Sequence, residues 1–166
     1  SGLPMLDRVT ALEPGAIKPC SERAHAFLVE RGDRAAAEVH AGRWRERDAW
    51  EKLRESQIQR FEPSHGIAPH GLDADQVAAL RAQLTGAAVA NVKAIHLARR
   101  LVPADPGVVL YVMVVTPTWY GRQSGRPQKI VERLAALEWP LSMMIVTPEG
   151  RFAPLRVQGT PGHRIR

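Results

Sequence analysis

The sequence predicts an α+β fold: N-terminal helices, then a small, mainly antiparallel sheet of ββαββ order with one covering helix. Three observations predict it. Apolar residues in the first half recur at three- and four-residue steps, which is the helical period. After Gly86 the pattern becomes alternation, with Ile95, Leu97 and Leu101 set between His96, Ala98 and Arg100. The run Val108–Val115 is eight apolar residues long, the length of a strand covered on both faces. A membrane-spanning helix needs about 20 such residues, so no membrane insertion is expected. At 166 residues and 45% apolar composition, the chain has the size of one ordinary domain and enough apolar side chains to build a core.

The elements follow in order. Residues 1–20 contain Pro4, Pro14, Gly15 and Pro19, and read as a loosely ordered leading segment with one short helical turn near Leu6–Leu12. A helical region is expected over 21–84. Ser21 can cap its first helix, in which Ala24, Phe27 and Leu28 share a side. Gly32 punctuates, and Asp33 can cap a second helix from about Arg34 to Arg60. There Ala36, Val39, Trp50 and Leu53, with Phe61 beyond, supply the apolar repeat. The stretch Arg43–Glu51 mixes both charges densely, which predicts solvated pairing along a helix and not a polybasic face. The segment 62–71 is rich in Pro, Gly and His and reads as a loop. Asp73 with Gln76 makes a capping box, and Leu72 with Val77 fits a hydrophobic staple, so the next helix runs from there to about Leu84.

Residues 85–166 are expected to form the sheet region, packed with 21–84 as one domain. Strands near 95–101 and 108–115 flank the turn residues Pro103–Gly107. Residues 117–126 read as a polar loop. Pro127 suits the first turn of a helix to about Glu138, with Ile130, Val131, Leu134 and Leu137 on one side. Leu141–Thr147 and Phe152–Val157 read as two further strands around the turn Pro148–Gly150. Val114-Val115-Thr116-Pro117 and Ile145-Val146-Thr147-Pro148 close two strands alike.

Several chemistries are excluded or weakened. The single cysteine, Cys20, excludes an internal disulfide and a multi-cysteine metal site. No His-Glu-x-x-His, P-loop or dinucleotide fingerprint occurs. His65 and His70 share a Pro/Gly loop that fixes no ligand geometry and read as solvated side chains, while His40 reads as a surface or boundary residue of its helix. Gly121–Gly125 offsets its serine from the nucleophile-elbow position. No catalytic residue, metal or cofactor is expected.

Charge points elsewhere. Of the net +6, residues 111–166 carry eight basic and three acidic residues, and 151–166 carry four arginines and no acid. Such a field attracts phosphate, anionic lipid or an acidic protein face, although the excess of Arg over Lys is also what a GC-rich genome produces. Within the loop 119–126, aromatics lie beside cations. Trp119, Tyr120, Arg122, Arg126 and Lys129 are therefore the candidate binding residues. Aromatic and Arg side chains suit protein hot spots, and they also suit base stacking with phosphate contact.

Two stretches carry a resemblance: Trp44–Glu51, and the segment from His70-Gly71-Leu72 through Val92–Arg100 to Leu110–Met113. Over residues 34–115 the chain resembles the soluble domain appended to bacterial membrane-embedded zinc metallopeptidases of the CAAX-protease type. The second stretch is also similar to the C-terminal domain of SseB-like proteins. The resemblance implies an accessory module facing the aqueous side, in the cytoplasm or at the cytoplasmic face of the inner membrane, inside a parent chain that is itself a metallopeptidase. The zinc helix of that family has no counterpart here, so its activity maps to no position. Ser1-Gly2 reads as a cleavage scar, which fits a piece excised from a longer chain.

The functional expectation is a non-catalytic interaction or regulatory domain that docks a protein partner or the rest of its own parent chain. The alternatives are a nucleic-acid-binding module using the basic last third, and a small enzyme without a recognisable motif.

Overall fold

Pro4 and Pro14 start helices instead of breaking them. In the structure, a computed structural model that describes residues 2–87, 90–123 and 127–155, the segment expected to be loosely ordered is helical almost throughout. Helix α1 spans Leu3–Leu12, a 3-10 turn spans Pro14–Ala16, and helix α2 spans Ile17–Glu30. Each proline occupies a first-turn position, where the backbone N–H would have no helical acceptor in any case. Pro19 is likewise the third residue of α2. Ser21 is therefore not a cap: it lies one turn inside α2 and is buried.

By its contacts the chain divides into two compact units, Ser1–Gln59 and Arg60–Arg166. The helix over 74–86, read from the sequence as part of the helical region, buries Leu80 and Leu84 in the core of the sheet unit.

In the first unit, α2 packs along helix α3, Arg34–Gln59. Gly32 takes φ +78°, and Asp33 then caps α3 by accepting the Ala36 N–H at 3.1 Å. The buried positions are Cys20, Ser21, Ala24 and Leu28 on α2 and Ala37 on α3. Small side chains thus dominate this seam. The inward face expected for α3 is not the one used: Val39 and Leu53 are more than half exposed, and Phe61 belongs to the other unit. Trp44 and Trp50 are half-buried beneath cations, with Lys18 5.0 Å from the Trp44 ring centre and Arg47 4.2 Å from that of Trp50.

The mixed charges of α3 pair as expected. Arg47 reaches Glu51 at 2.8 Å and Lys52 reaches Asp48 at 2.7 Å, both one turn apart. Lys18 of α2 joins them, 2.7 Å from Asp48 and 3.3 Å from Glu51. The hydrogen bond from Lys18 holds the Asp48 carboxyl below its usual range, and that from Arg47 does the same for Glu51. Lys18 is raised in turn by Asp48. A depressed carboxylate stabilises the fold above its unfolded pKa, about 4, and that contribution disappears as pH falls through the lower folded value. The raised lysine contributes at neutrality and loses its effect only as pH rises above the lysine range. The thermal midpoint of this unit is therefore expected to fall between pH 5 and pH 2, as followed by helical circular dichroism. Lys18→Met is expected to flatten that acid limb. An equally steep limb in the variant would show that the network does not couple to folding.

In the second unit, β1 (Ile67–Pro69) forms within the segment expected to be a loop. It is a three-residue edge strand that pairs Ile67 with Arg100, and a proline is tolerated at such an edge. Gly66 and Gly71, at φ +84° and +68°, turn the chain into and out of it. Helix α4, Ala74–Gly86, begins with the expected capping box: the Gln76 N–H donates to Asp73 at 2.8 Å, and the Asp73 N–H donates to the Gln76 side chain at 3.1 Å. Strands β2 (Val92–Arg100) and β3 (Leu110–Pro117) form the expected hairpin.

Helix α5 (Trp119–Gln123) replaces part of the expected polar loop, and helix α6 spans Pro127–Ala135. The chain then returns as β4, Met143–Val146, parallel to β3. The sheet order is β1-β2-β3-β4, with its first two pairings antiparallel. The α+β class holds, while the strand order along the chain differs from ββαββ. A strand is gained at 67–69. The strand expected from Phe152 is a 3-10 helix over Gly150–Leu155, and residues 156–157 of it lie outside the described residues. Pro154 removes a donor that a strand would need, and Phe152 and Leu155 turn onto the sheet.

Alternation along β3 builds both halves of the core. Tyr111, Met113 and Val115 meet Leu80 and Leu84 of α4 and Ile130 and Leu134 of α6. Val112 and Val114 face the other way, onto Phe61 and Leu155. Both faces are covered, which is why residues 111–115 of the run are continuously apolar; Val108 and Val109 lie before the strand, and Val109 is exposed.

Candidate functional site

The candidate surface begins where β3 ends. Asn91, just before β2, adopts φ +63°, and its carbonyl accepts the Thr118 N–H at 2.7 Å. Thr118 then caps α5: its hydroxyl accepts the Gly121 N–H at 3.3 Å, and its carbonyl accepts the Arg122 N–H at 3.1 Å. Gly121 is buried against this floor. A Cβ there would lie 2.9 Å from the Asn91 carbonyl oxygen and 3.1 Å from the Pro117 Cβ. Gly121 is thus required by close backbone approach.

With its underside held by Gly121, α5 turns the preceding aromatics outward. Trp119 is 63% exposed and Tyr120 71% exposed. Their ring centres are 5.1 Å apart with planes at 84°, an edge-to-face pair. Arg122 is exposed in the last turn of α5 and Lys129 in the first turn of α6. Neither side chain makes an ion pair with another described residue. Arg126 lies outside the described residues.

Gly121→Ala is expected to push α5 off Asn91, weakening binding at Trp119 and costing about 1–3 kcal/mol of stability. Urea unfolding with tryptophan emission checks it. Unchanged stability would mean that the floor yields freely.

Two concavities lie in the helical unit. One, of about 460 Å³, is lined by residues including Asp7, Ser21, Arg43, Glu46 and Arg47. Another, of about 320 Å³, includes Glu22, His25, His40 and Trp44. Their charges are largely paired: Arg43 with Asp7 at 2.7 Å, Arg47 with Glu51, and Arg45 with Glu38. The Arg45 hydrogen bond holds Glu38 below the usual carboxylate range. Among the described residues no group of three His, Cys, Asp or Glu is placed to hold a metal ion. His65 and His70 are half-buried and not solvated as expected, and the His70 Nδ1 accepts the Leu72 N–H at 2.9 Å. Cys20 is buried within α2. Arg100 is buried 5.3 Å from the Phe61 ring centre, and burial lowers its pKa.

Sequence reasoning found the aromatic–basic segment but missed the helix that presents it. The signal was available: Thr118 stands three residues before Gly121, a capping residue ahead of a short turn. No helix among the described residues is long and apolar enough to cross a membrane. Neither protein-family models, nor curated proteins, nor solved structures provide a match to this chain.

Proposed function

We propose that this chain is a non-catalytic recognition module that docks a protein partner through α5. The observation that carries the reading is the exposure of two adjacent large aromatics, Trp119 and Tyr120, on a helix whose other side is seated through a buried glycine. Exposed aromatics held in place and flanked by an arginine are the composition of an interaction hot spot. The resemblance over residues 34–115 supplies the proposed context, an appended module of a membrane metallopeptidase, facing the cytoplasm.

The test is selection of random peptides displayed on phage against the chain and against its Trp119→Ala/Arg122→Ala variant. Sequences enriched on the first and not on the second are expected. Equal enrichment on both proteins, with the variant folded, would remove α5 as the docking surface. Nucleic acid is the second candidate partner because of the basic last third. It predicts binding of oligonucleotides that falls steeply with salt.

A further inference from the structure

We infer that the segment bound at α5 is an acidic peptide carrying one apolar anchor residue. This rests on α5 being the docking surface. Ring geometry favours such a segment. Trp119 and Tyr120 stand at 84° with centres 5.1 Å apart, so together they form an L-shaped notch. A stacked base needs an open ring face, and in an edge-to-face pair one ring face is taken up by the neighbour's edge. A perpendicular pair offers one face and one edge, a corner that fits a compact aliphatic or proline side chain.

Charge favours it as well. Between residues 90 and 131 the only acid is Asp105. It lies in the turn joining β2 to β3, at the far end of the hairpin from Pro117 and α5. The eight-residue step from Val92 to Arg100 puts that turn about 25 Å away. At the near end, Lys93 is exposed at the β2 bulge, next to the Val92–Pro117 pair. Arg122 and Lys129 are exposed without an ion-pair partner among the described residues. The next acid, Glu132 of α6, already accepts a hydrogen bond from Gln128 at 3.1 Å. A carboxylate arriving at Arg122 or at Lys129 therefore displaces no ion pair among the described residues, and arginine can hold it with two parallel hydrogen bonds. A basic segment meets like charge, which penalises the wrong partner.

Random 12-residue peptides selected on the 166-residue chain are the probe. Those whose enrichment requires Trp119 are expected to be rich in Asp and Glu around one Leu, Ile, Val or Pro. Binding of the leading peptide is expected to weaken about tenfold between 50 and 300 mM NaCl, and Trp119→Ala to weaken it about 30-fold. Selection on Arg122→Glu is expected to lose the acidic bias. Neutral or basic peptides selected through Trp119 would overturn the inference while leaving α5 as a docking surface. Absence of any Trp119-dependent peptide would overturn both. Trp119-dependent binding of a 20-nucleotide dT or U strand, stronger than that of any peptide, would also overturn both and assign the surface to nucleic acid.

Discussion

Phe61→Ala is expected to lower the stability of the unit Arg60–Arg166 by about 3–5 kcal/mol. Whole domains are stable by only about 5–15 kcal/mol, so the variant sits close to unfolding at ordinary temperature. Three features set the size of this effect. Phe61 is fully buried on the face of the sheet opposite α4 and α6, among Val112, Val114, Val146 and Leu155. It stacks on Phe152, with ring centres 6.1 Å apart and planes 14° from parallel. It also lies against the buried Arg100 guanidinium, 5.3 Å from its ring centre, so truncation removes the π face beside a buried charge. Among the described residues this face is covered by Phe61, Ile67 and, from the 3-10 helix, Phe152 and Leu155. Urea unfolding measured by near-ultraviolet circular dichroism checks the expectation. Phe61→Leu, which keeps most of the volume, is expected to lose roughly half as much. A loss under about 1 kcal/mol for the alanine variant would mean that this face can collapse around the gap.

Trp119→Ala combined with Arg122→Ala is expected to weaken the selected peptides at least 100-fold, which corresponds to about 2.8 kcal/mol or more. The fold is expected to be untouched, because substitutions at exposed sites usually change stability by less than about 0.5 kcal/mol. Trp119 and Arg122 act differently in this account. The Trp119 ring forms one wall of the notch with Tyr120, so its loss shortens the residence of the apolar anchor. The Arg122 charge at the end of α5 steers and orients an acidic segment, so its loss is expected to fall more on the association rate and on the salt dependence. Kinetic traces of the two single variants separate these roles. The account fails if both variants bind with the rates of the parent protein.

Much of the sheet unit was legible in the sequence because its signals are local. Asp73 and Gln76 needed only their spacing to declare a capping box, and the structure has both of its hydrogen bonds. Pro127 opens α6 for the same local reason. Residues 111–115 are apolar at every position because β3 carries core on both faces, whereas Val108 and Val109 precede the strand and Val109 is exposed.

Other elements depend on information that periodicity does not hold. Prolines 4, 14 and 19 looked like breakers, yet a proline in a first helical turn costs no hydrogen bond. The seam between α2 and α3 uses Ala24, Ser21 and Ala37, small residues that a search for large apolar positions passes over. Strand β1 exists because Ile67 finds Arg100 thirty-three residues away, a pairing that no local pattern specifies. Phe152 leaves the expected strand for the 3-10 helix because Phe61 offers it a ring to stack on.

The candidate site shows the same division. Its residue types were plain from the sequence, as Trp, Tyr and Arg side by side. Their outward direction was not, because it depends on Gly121 meeting the Asn91 carbonyl across the end of the sheet.

The most direct test of recognition at α5 is a titration of the isotope-labelled chain with the leading selected peptide, followed by amide and indole resonances. The Trp119 indole and the Gly121 and Arg122 amides are expected to shift and saturate together. The Trp139 indole, whose N–H is held by the Leu134 carbonyl at 2.8 Å, is expected to stay in place, as are those of Trp44 and Trp50. Saturating shifts confined to residues 3–59, with the α5 signals unmoved, would contradict it.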